Sequence, residues 1–264
     1  METYQNILVE TRKGIITVFL NRPQVHNAMN AEMIAELTAF FQNIKLQHPS
    51  PRVIVLRGKG KSFCAGADLN YMKEIAGFGF DENFQDGLKL FTLFESIYRC
   101  EVPTMAMVHG SAFGGANGLL AACDVVIATE NTRFAFSEVK LGIAPATIAP
   151  FVIKRIGEFG AKELMLSGKR FNGHEAAKWH LVNHVVEEED FESAADSLIH
   201  EFLHAAPQAV KSAKKLINKI LDEGTLDETK DFTARLIAQL RASDEGQEGM
   251  AAFLQKRKAK WITQ

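Results

Sequence analysis

Two glycine-rich turns constrain this chain more than any other part of its sequence. Residues 61–69 read KSFCAGADL and residues 110–115 read GSAFGG, and each segment follows a short apolar, strand-like run at 53–56 or 105–108. Each also precedes a plausible helix start. The first amides of a helix are unpaired and carry positive partial charge. We therefore expect the two turns to aim backbone N–H groups at one developing negative charge, which is how an oxyanion hole is built.

The composition is that of an ordinary globular protein. Its 264 residues can bury the core of one large domain, or of a domain with an appendage. The 30 basic and 32 acidic residues give a formal charge of −2, so nothing in the balance calls for nucleic acid or an anionic membrane as a partner. No apolar run approaches the roughly 18 residues of a membrane span.

The cysteines indicate a reducing compartment. Cys64, Cys100 and Cys123 lie far apart and lack the spacing of a metal site. We expect reduced thiols in a cytoplasmic protein. The polar first residues lack the basic and apolar regions of a secretory signal, which supports the same prediction.

Apolar periodicity predicts a mixed α/β core followed by helices. Strands are expected at 7–11, 14–20, 53–56, 104–108, 125–128 and 133–136, and helices at 30–47 and 116–122. Strand pairs followed by a helix thus recur, which is typical of an α/β fold. After residue 190 the pattern is helical almost to the end, so we expect a separate helical region there.

Several sequence blocks together resemble one family. They are LNRP at 20–23, NAM at 27–29, SFCAGADL at 62–69, VP at 102–103, HG at 109–110, GG at 114–115, CD at 123–124, FSEVKLG at 136–142 and FLQKRK at 253–258. In this order they resemble the crotonase, or enoyl-CoA hydratase/isomerase, superfamily over nearly the whole chain.

The resemblance implies a fold and an activity. The fold would be a spiral core of repeated β-β-α units over residues 1–190, holding an acyl-CoA site, and a helical oligomerisation region over 191–264. Such chains assemble as homotrimers, often paired into hexamers. The substrate would be an acyl-coenzyme A thioester. No metal and no cofactor beyond that coenzyme A is implied.

The resemblance also assigns residues to the site. The amides of Ala67 and Gly115 would form the oxyanion hole, and Glu138 would be the catalytic carboxylate. Lys256 would bind the 3′-phosphate-ADP end of coenzyme A. The substrate-binding positions would be Ala65, Gly66, Asp68, Leu69, Gly114, Gly118, Pro145 and Lys256.

The surroundings of Glu138 suit an acid/base role. It follows a short strand-like run and a serine, and precedes the apolar residues 141–146. A carboxylate in a dry pocket has a raised pKa, nearer the range that proton transfer requires.

Gly118 leaves the reaction open between two types. Typical hydratases have a second catalytic glutamate there, three residues past the position of Gly115, whereas double-bond migration needs one base. The glycine weakens the hydratase prediction, and we expect it to leave room for a branched acyl chain. Residues 66–72 and 145–152 resemble the branch that acts on 3-methylglutaconyl-type substrates. Hydration of an enoyl-CoA is therefore the first hypothesis, and Δ3,Δ2-enoyl-CoA isomerisation is the alternative.

Two motifs favour other classes of protein. Residues 200–204 read HEFLH, the H-E-x-x-H pattern of zinc proteases, but the apolar stripe of this helix places His200, Glu201 and His204 on the wet face. The basic residues 256–260 would suit RNA, or simply a solvated helix end.

Overall fold

The strands form two sheets in which most neighbours are parallel. The computed structural model describes residues 4–48 and 50–262. The larger sheet contains, in spatial order, β1 (Ile7–Arg12), β2 (Ile15–Leu20), β3 (Val53–Gly58), β4 (Thr104–Val108), β6 (Val125–Thr129) and β9 (His184–Val186), and the smaller contains β5 (Ser111–Phe113), β7 (Arg133–Ala135) and β8 (Arg170–Phe171). The pairs β1–β2 and β7–β8 are antiparallel, and every other pair is parallel.

The helices follow the strands, as the sequence predicts. In the first part of the chain they are α1 (Ala31–Gln47), α2 (Leu69–Ile75), α3 (Phe80–Tyr98), α4 (Ala116–Ala122), α5 (Ala149–Ser167) and α6 (Gly173–Lys178), with 3₁₀ turns at Pro23–Val25 and Glu138–Leu141. Asn30 caps α1, since its side-chain oxygen accepts from the Met33 amide at 3.0 Å. None of the described helices is long and apolar enough to cross a membrane.

Three successive units along the chain, each a turn of the spiral, repeat one pattern. In two of them a strand of the larger sheet leads to a strand of the smaller sheet and then to a helix: β4, β5 and α4, then β6, β7 and α5. The earlier turn does the same in reduced form, because β3 is followed by Cys64, which pairs in parallel with Ala112 of β5. The predicted repetition of β-β-α units is present.

The chain divides into two compact units. The first runs to Ala195 without residues 101–103, which belong to the second. The second contains most of α7 (Phe191–His204) and all of α8 (Pro207–Glu223), α9 (Leu226–Ala242) and α10 (Asp244–Leu254). From 191 to 262 the structure contains helices and turns without a strand.

The division falls inside α7, whereas the sequence suggested a boundary before it. The first turn of α7 is held by the first unit. The ring of Phe191 lies 6.3 Å from that of His109, and Glu192 binds Arg57 of β3 with a contact at 3.0 Å. The composition change at residue 190 therefore marks the start of the helix and not the end of the first unit.

Glu36 of α1 stabilises the start of β1, and its replacement by alanine should weaken the fold. Its carboxylate accepts from the amides of Gln5, Asn6 and Ile7 at 2.8, 2.8 and 3.1 Å. Hydrogen bonds to a charged group contribute about 1.5–3 kcal/mol each, but these three share one carboxylate and lie near solvent, so we expect a loss of about 2 kcal/mol. Chemical denaturation measures it.

The matched control is Glu32→Ala in the same helix, where the carboxylate's hydrogen bond within the described part of the chain is to the Asn30 side chain, at 3.3 Å. An equal loss in both variants would contradict the assigned role of Glu36.

Candidate active site

The residues of the candidate site lie equally far along three neighbouring chain segments. Cys64 pairs in parallel with Ala112, and Ala112 pairs in parallel with Phe134 of β7. Three residues further along these segments lie Ala67, Gly115 and Ser137, and Glu138 follows directly. Neighbouring strands are about 4.8 Å apart, so this register starts the three segments side by side just before these positions.

Two backbone amides in these segments have no acceptor among the residues that the structure describes. Met29 bonds to both neighbours of Ala67: its amide donates to Gly66 at 2.7 Å, and its carbonyl accepts from Asp68 at 2.8 Å. Ala67 itself lies between these bonds, and no acceptor for its N–H is found among the described residues. The Gly115 N–H is likewise unbonded within that part of the chain. Unpaired amides of this kind are anion-binding groups.

A glycine with positive φ precedes each free amide. The φ of Gly66 is +98° and that of Gly114 is +53°, a region in which side chains are strained. A Cβ on Gly66 would also lie 3.0 Å from the Phe113 carbonyl oxygen. These two glycines allow the chain to leave the strand pairing, so the next N–H points away from the ladder.

Glu138 places a partly buried carboxylate beside the Gly114 turn. A Cβ on Gly114 would lie 3.4 Å from Glu138 Oε1. The other oxygen, Oε2, is buried and has no hydrogen-bond partner among the described residues. Burial raises the pKa of the Glu138 carboxyl above its ordinary value, and a hydrogen bond with its own backbone opposes this only in part. Such a carboxyl can accept a proton and release it again.

Asp68 has a structural role at the start of α2. Its Oδ1 accepts from the Asn70 amide at 2.8 Å, and its Oδ2 pairs with Arg22 at 2.9 Å. Burial alone would raise the pKa of Asp68, but bonds from the Asn70 amide and Arg22 hold it below its ordinary value. Its substrate-binding role stays a prediction, and both oxygens are occupied within this chain.

The remaining predicted binding residues differ in exposure. Ala65 is half-buried, Pro145 is buried, and Leu69 leaves 74% of its surface exposed beside Ala67. Lys256 is exposed just beyond α10 in the second unit. Leu141 and Ile143, which sequence reasoning did not single out, are 61% and 59% exposed just after Glu138. Their position within an apolar run after the catalytic candidate was the available signal.

The room expected at Gly118 is absent. A Cβ there would lie 2.5 Å from Ile148 Cγ2 and 2.7 Å from Phe94 Cζ. These two buried side chains fill the place that the sequence suggested for a branched acyl group, so that prediction is wrong. Sequence reasoning missed both residues, because neither belongs to a quoted motif and only packing brings them to Gly118.

The H-E-x-x-H segment does not form a metal centre in the described residues, where no group of three or more His, Cys, Asp or Glu side chains is placed to hold an ion. His200 and Glu201 are exposed, as the apolar stripe predicts. Nδ1 of His204 lies 2.8 Å from the His200 carbonyl oxygen, one turn back along the helix. A ring nitrogen used within the helix does not favour the protease hypothesis.

Comparisons with known proteins identify the family and the fold. Residues 10–264 match the family model described as enoyl-CoA hydratase/isomerase. A crotonyl-CoA hydratase of Syntrophomonas wolfei is 31% identical, with 98% of this chain and 99% of that protein covered. The fold matches the solved structure of Pseudomonas aeruginosa AtuE with a TM-score of 0.94, at 34% identity over 98% of this chain and all of that one. An enoyl-CoA hydratase from Shewanella pealeana gives a TM-score of 0.92 at 34% identity, with 97% of this chain and 96% of that one covered.

Gly118→Ala should destabilise the protein. Alanine in place of glycine in an open helix adds up to about 1 kcal/mol of stability, whereas overpacking a filled core costs about 1–3 kcal/mol. We expect the second effect to win, because the new methyl group would overlap Ile148 and Phe94. Denaturant unfolding gives the sign of the change in the free energy of unfolding.

Gly87→Ala in α3 is the matched control, since its Cβ would meet only Thr147 Cγ2, at 3.9 Å. The control should be neutral or stabilising. The loss in free energy of unfolding caused by Gly118→Ala should also be smaller in a Phe94→Leu background. If Gly118→Ala alone stabilised the protein, the hypothesis of open space at this position would be restored.

Glu138→Gln should stabilise the fold at neutral pH. The raised pKa means that the folded chain holds the proton more tightly than the unfolded chain. The contribution of this group to stability is therefore present below its ordinary pKa of 4.5 and lost as pH rises through the folded pKa. The melting temperature of the variant minus that of wild type should grow with pH above this value. A difference that grows towards low pH would contradict the assignment.

Proposed function

Because the chain belongs to the enoyl-CoA hydratase/isomerase family, we propose that it adds water across the 2,3-double bond of an enoyl-CoA thioester. The observation that carries the proposal is the unpartnered, buried Oε2 of Glu138 at the level of two free amides. The Glu138 carboxylate can transfer a proton, and the amides of Ala67 and Gly115 can stabilise the negative charge that this transfer creates.

The proposed reaction uses the three groups in sequence. The amides of Ala67 and Gly115 hydrogen-bond to the thioester oxygen and stabilise the enolate charge as it develops. The Glu138 carboxylate takes one proton from water while the water oxygen bonds to C3. Protonated Glu138 then returns that proton to C2, the enolate collapses, and the carboxylate is regenerated. Water is consumed, and no cofactor beyond the coenzyme A of the substrate takes part.

One carboxylate must perform both proton transfers in this scheme. Phe94 and Ile148 fill the space at Gly118, so a second acid from that position has no place in the site. The same feature favours the alternative reaction, Δ3,Δ2-enoyl-CoA isomerisation. There Glu138 would remove a proton from C2 of a 3-enoyl thioester and deliver it to C4 through the same enolate.

The acyl group proposed is apolar near the thioester, with a branched 3-methylglutaconyl-type chain as the specific hypothesis. Leu69, Leu141 and Ile143 expose apolar surface next to Ala67 and Glu138, which suits an acyl chain. The branched chain itself rests on the sequence resemblance alone, since Gly118 provides no space for it.

Two further proposals concern the rest of the chain. Lys256 would bind the 3′-phosphate of coenzyme A, as the family resemblance implies. The helical region from Phe191 would hold a homotrimer, or a hexamer of two trimers, because amphipathic helices such as α8 expose apolar side chains, Ile217 and Leu221 among them.

Glu138→Gln should lower turnover by at least about 100-fold, since acid/base catalysis contributes about 10²–10⁴-fold. Wild type and variant are compared on a straight 2-enoyl-CoA, a 3-enoyl-CoA and 3-methylglutaconyl-CoA. Mass spectrometry detects the gain of one water, and absorbance of the conjugated thioester detects isomerisation.

Glu158→Gln, at an exposed glutamate of α5, controls for the substitution and should retain full activity. Isomerisation without hydration on any substrate would promote the alternative reaction. Undiminished turnover by Glu138→Gln would remove this residue from the mechanism.

A further inference from the structure

Asn117 is a fully buried polar residue in the first turn of α4. Its side-chain Nδ2 donates to the Ala135 carbonyl at 2.9 Å. The same carbonyl accepts the Gly114 N–H at 3.0 Å, and the Asn117 N–H donates back to the Gly114 carbonyl at 2.9 Å. One side chain thus reinforces the contact between the Gly114 turn and the end of β7.

The orientation of the Asn117 amide follows from this bond. Turned over, its oxygen would face the Ala135 carbonyl and the two acceptors would repel each other. In the bonded orientation Oδ1 is buried and has no donor among the described residues. Buried acceptors without a partner weaken a fold, and leucine has nearly the same shape without that penalty. Stability alone therefore does not favour asparagine at this position.

The two segments that Asn117 joins carry different parts of the site. Gly114 directly precedes the free amide of Gly115, and Ala135 ends the strand that leads to Glu138. Asn117 is bonded to Gly114 through its backbone N–H, so its side-chain bond is a second link, besides the Gly114 N–H, between this turn and the Ala135 carbonyl. Loss of the side chain removes one of these two links.

We propose that Asn117 is a positioning residue that fixes the Gly115 amide relative to the Glu138 carboxylate. This role rests on the proposed function and deepens it. Misplacing a catalytic donor by a fraction of an ångström weakens the transition state more than the bound substrate, because the donor acts on charge that develops during reaction. The effect of losing Asn117 should fall on kcat.

The first test compares Asn117→Leu with wild type, using the enoyl-CoA that wild type converts fastest. We expect kcat to fall at least about 10-fold while KM changes less than about 3-fold. The control is Thr132→Val, which removes another buried side-chain bond to a strand carbonyl, that of Val108 at 3.2 Å. The control should keep wild-type kcat. An equal loss of kcat in both variants, or no loss in Asn117→Leu, would overturn the proposal.

The second test uses Asn117→Asp, which restores the bond only when the new carboxyl is protonated. A protonated carboxyl can donate to the Ala135 carbonyl in place of Nδ2, whereas a carboxylate cannot. The kcat of this variant divided by that of wild type should therefore fall as pH rises, while circular dichroism shows both proteins folded. For Asn117→Leu the same ratio should stay constant with pH.

A ratio for Asn117→Asp that is flat or rises with pH contradicts the positioning role. The two proposals also fail differently. Wild type that converts no enoyl-CoA contradicts the proposed function and this role with it, whereas active wild type and an equally active Asn117→Leu contradict the role of Asn117 alone.

Discussion

Parallel pairing between Cys64, Ala112 and Phe134 is the constraint on which the rest of the site depends. Parallel neighbours advance in the same direction, so residues equally far past a paired position stay side by side. Ala67, Gly115 and the Ser137–Glu138 pair meet for this reason, although they are separated by dozens of residues along the chain. A slip of one residue in either pairing would move a free amide away from the carboxylate.

The groups gathered at this level are unfavourable for folding when each is considered alone. Among residues 4–48 and 50–262, two amides find no acceptor, two glycines adopt positive φ, and Glu138 has a buried oxygen without a partner. Unpaired polar groups and strained backbone persist only where the surrounding structure holds them in place. Here the bonds of Met29 to Gly66 and Asp68, and of Gly114 to Ala135, provide that support. Their concentration at one place favours a reactive site over a structural accident.

The packing around Gly118 narrows the chemistry available to this site. Phe94 from α3 and Ile148, just before α5, come together over the glycine and exclude any larger side chain. Glycine is therefore needed there for packing, although a glycine at this position of the sequence had suggested space for substrate. A larger side chain at residue 118 would require Phe94 or Ile148 to move.

Local sequence patterns were sufficient for most of the strands and helices. Alternation and helical periodicity located the first two strands, α1 and the helices after residue 190. The glycine-rich turns were recognisable because each lies within a few residues, whereas Glu138 was chosen through the family resemblance. The family resemblance, confirmed by the comparisons, supplied the spiral order of these elements.

Tertiary structure decided whatever depends on distant residues. Phe94 and Ile148 lie 24 and 30 residues from Gly118 in the sequence, and no local pattern shows that they fill its space. The contacts of Phe191 with His109 and of Glu192 with Arg57 likewise join the first turn of α7 to the first unit, which no local pattern shows. The sequence by itself determined the strands, the helices and the chemical types of the candidate residues, because these depend on residue identity and near neighbours. Only the folded chain decided how much room surrounds them, because space in a core is set by side chains that come from remote segments.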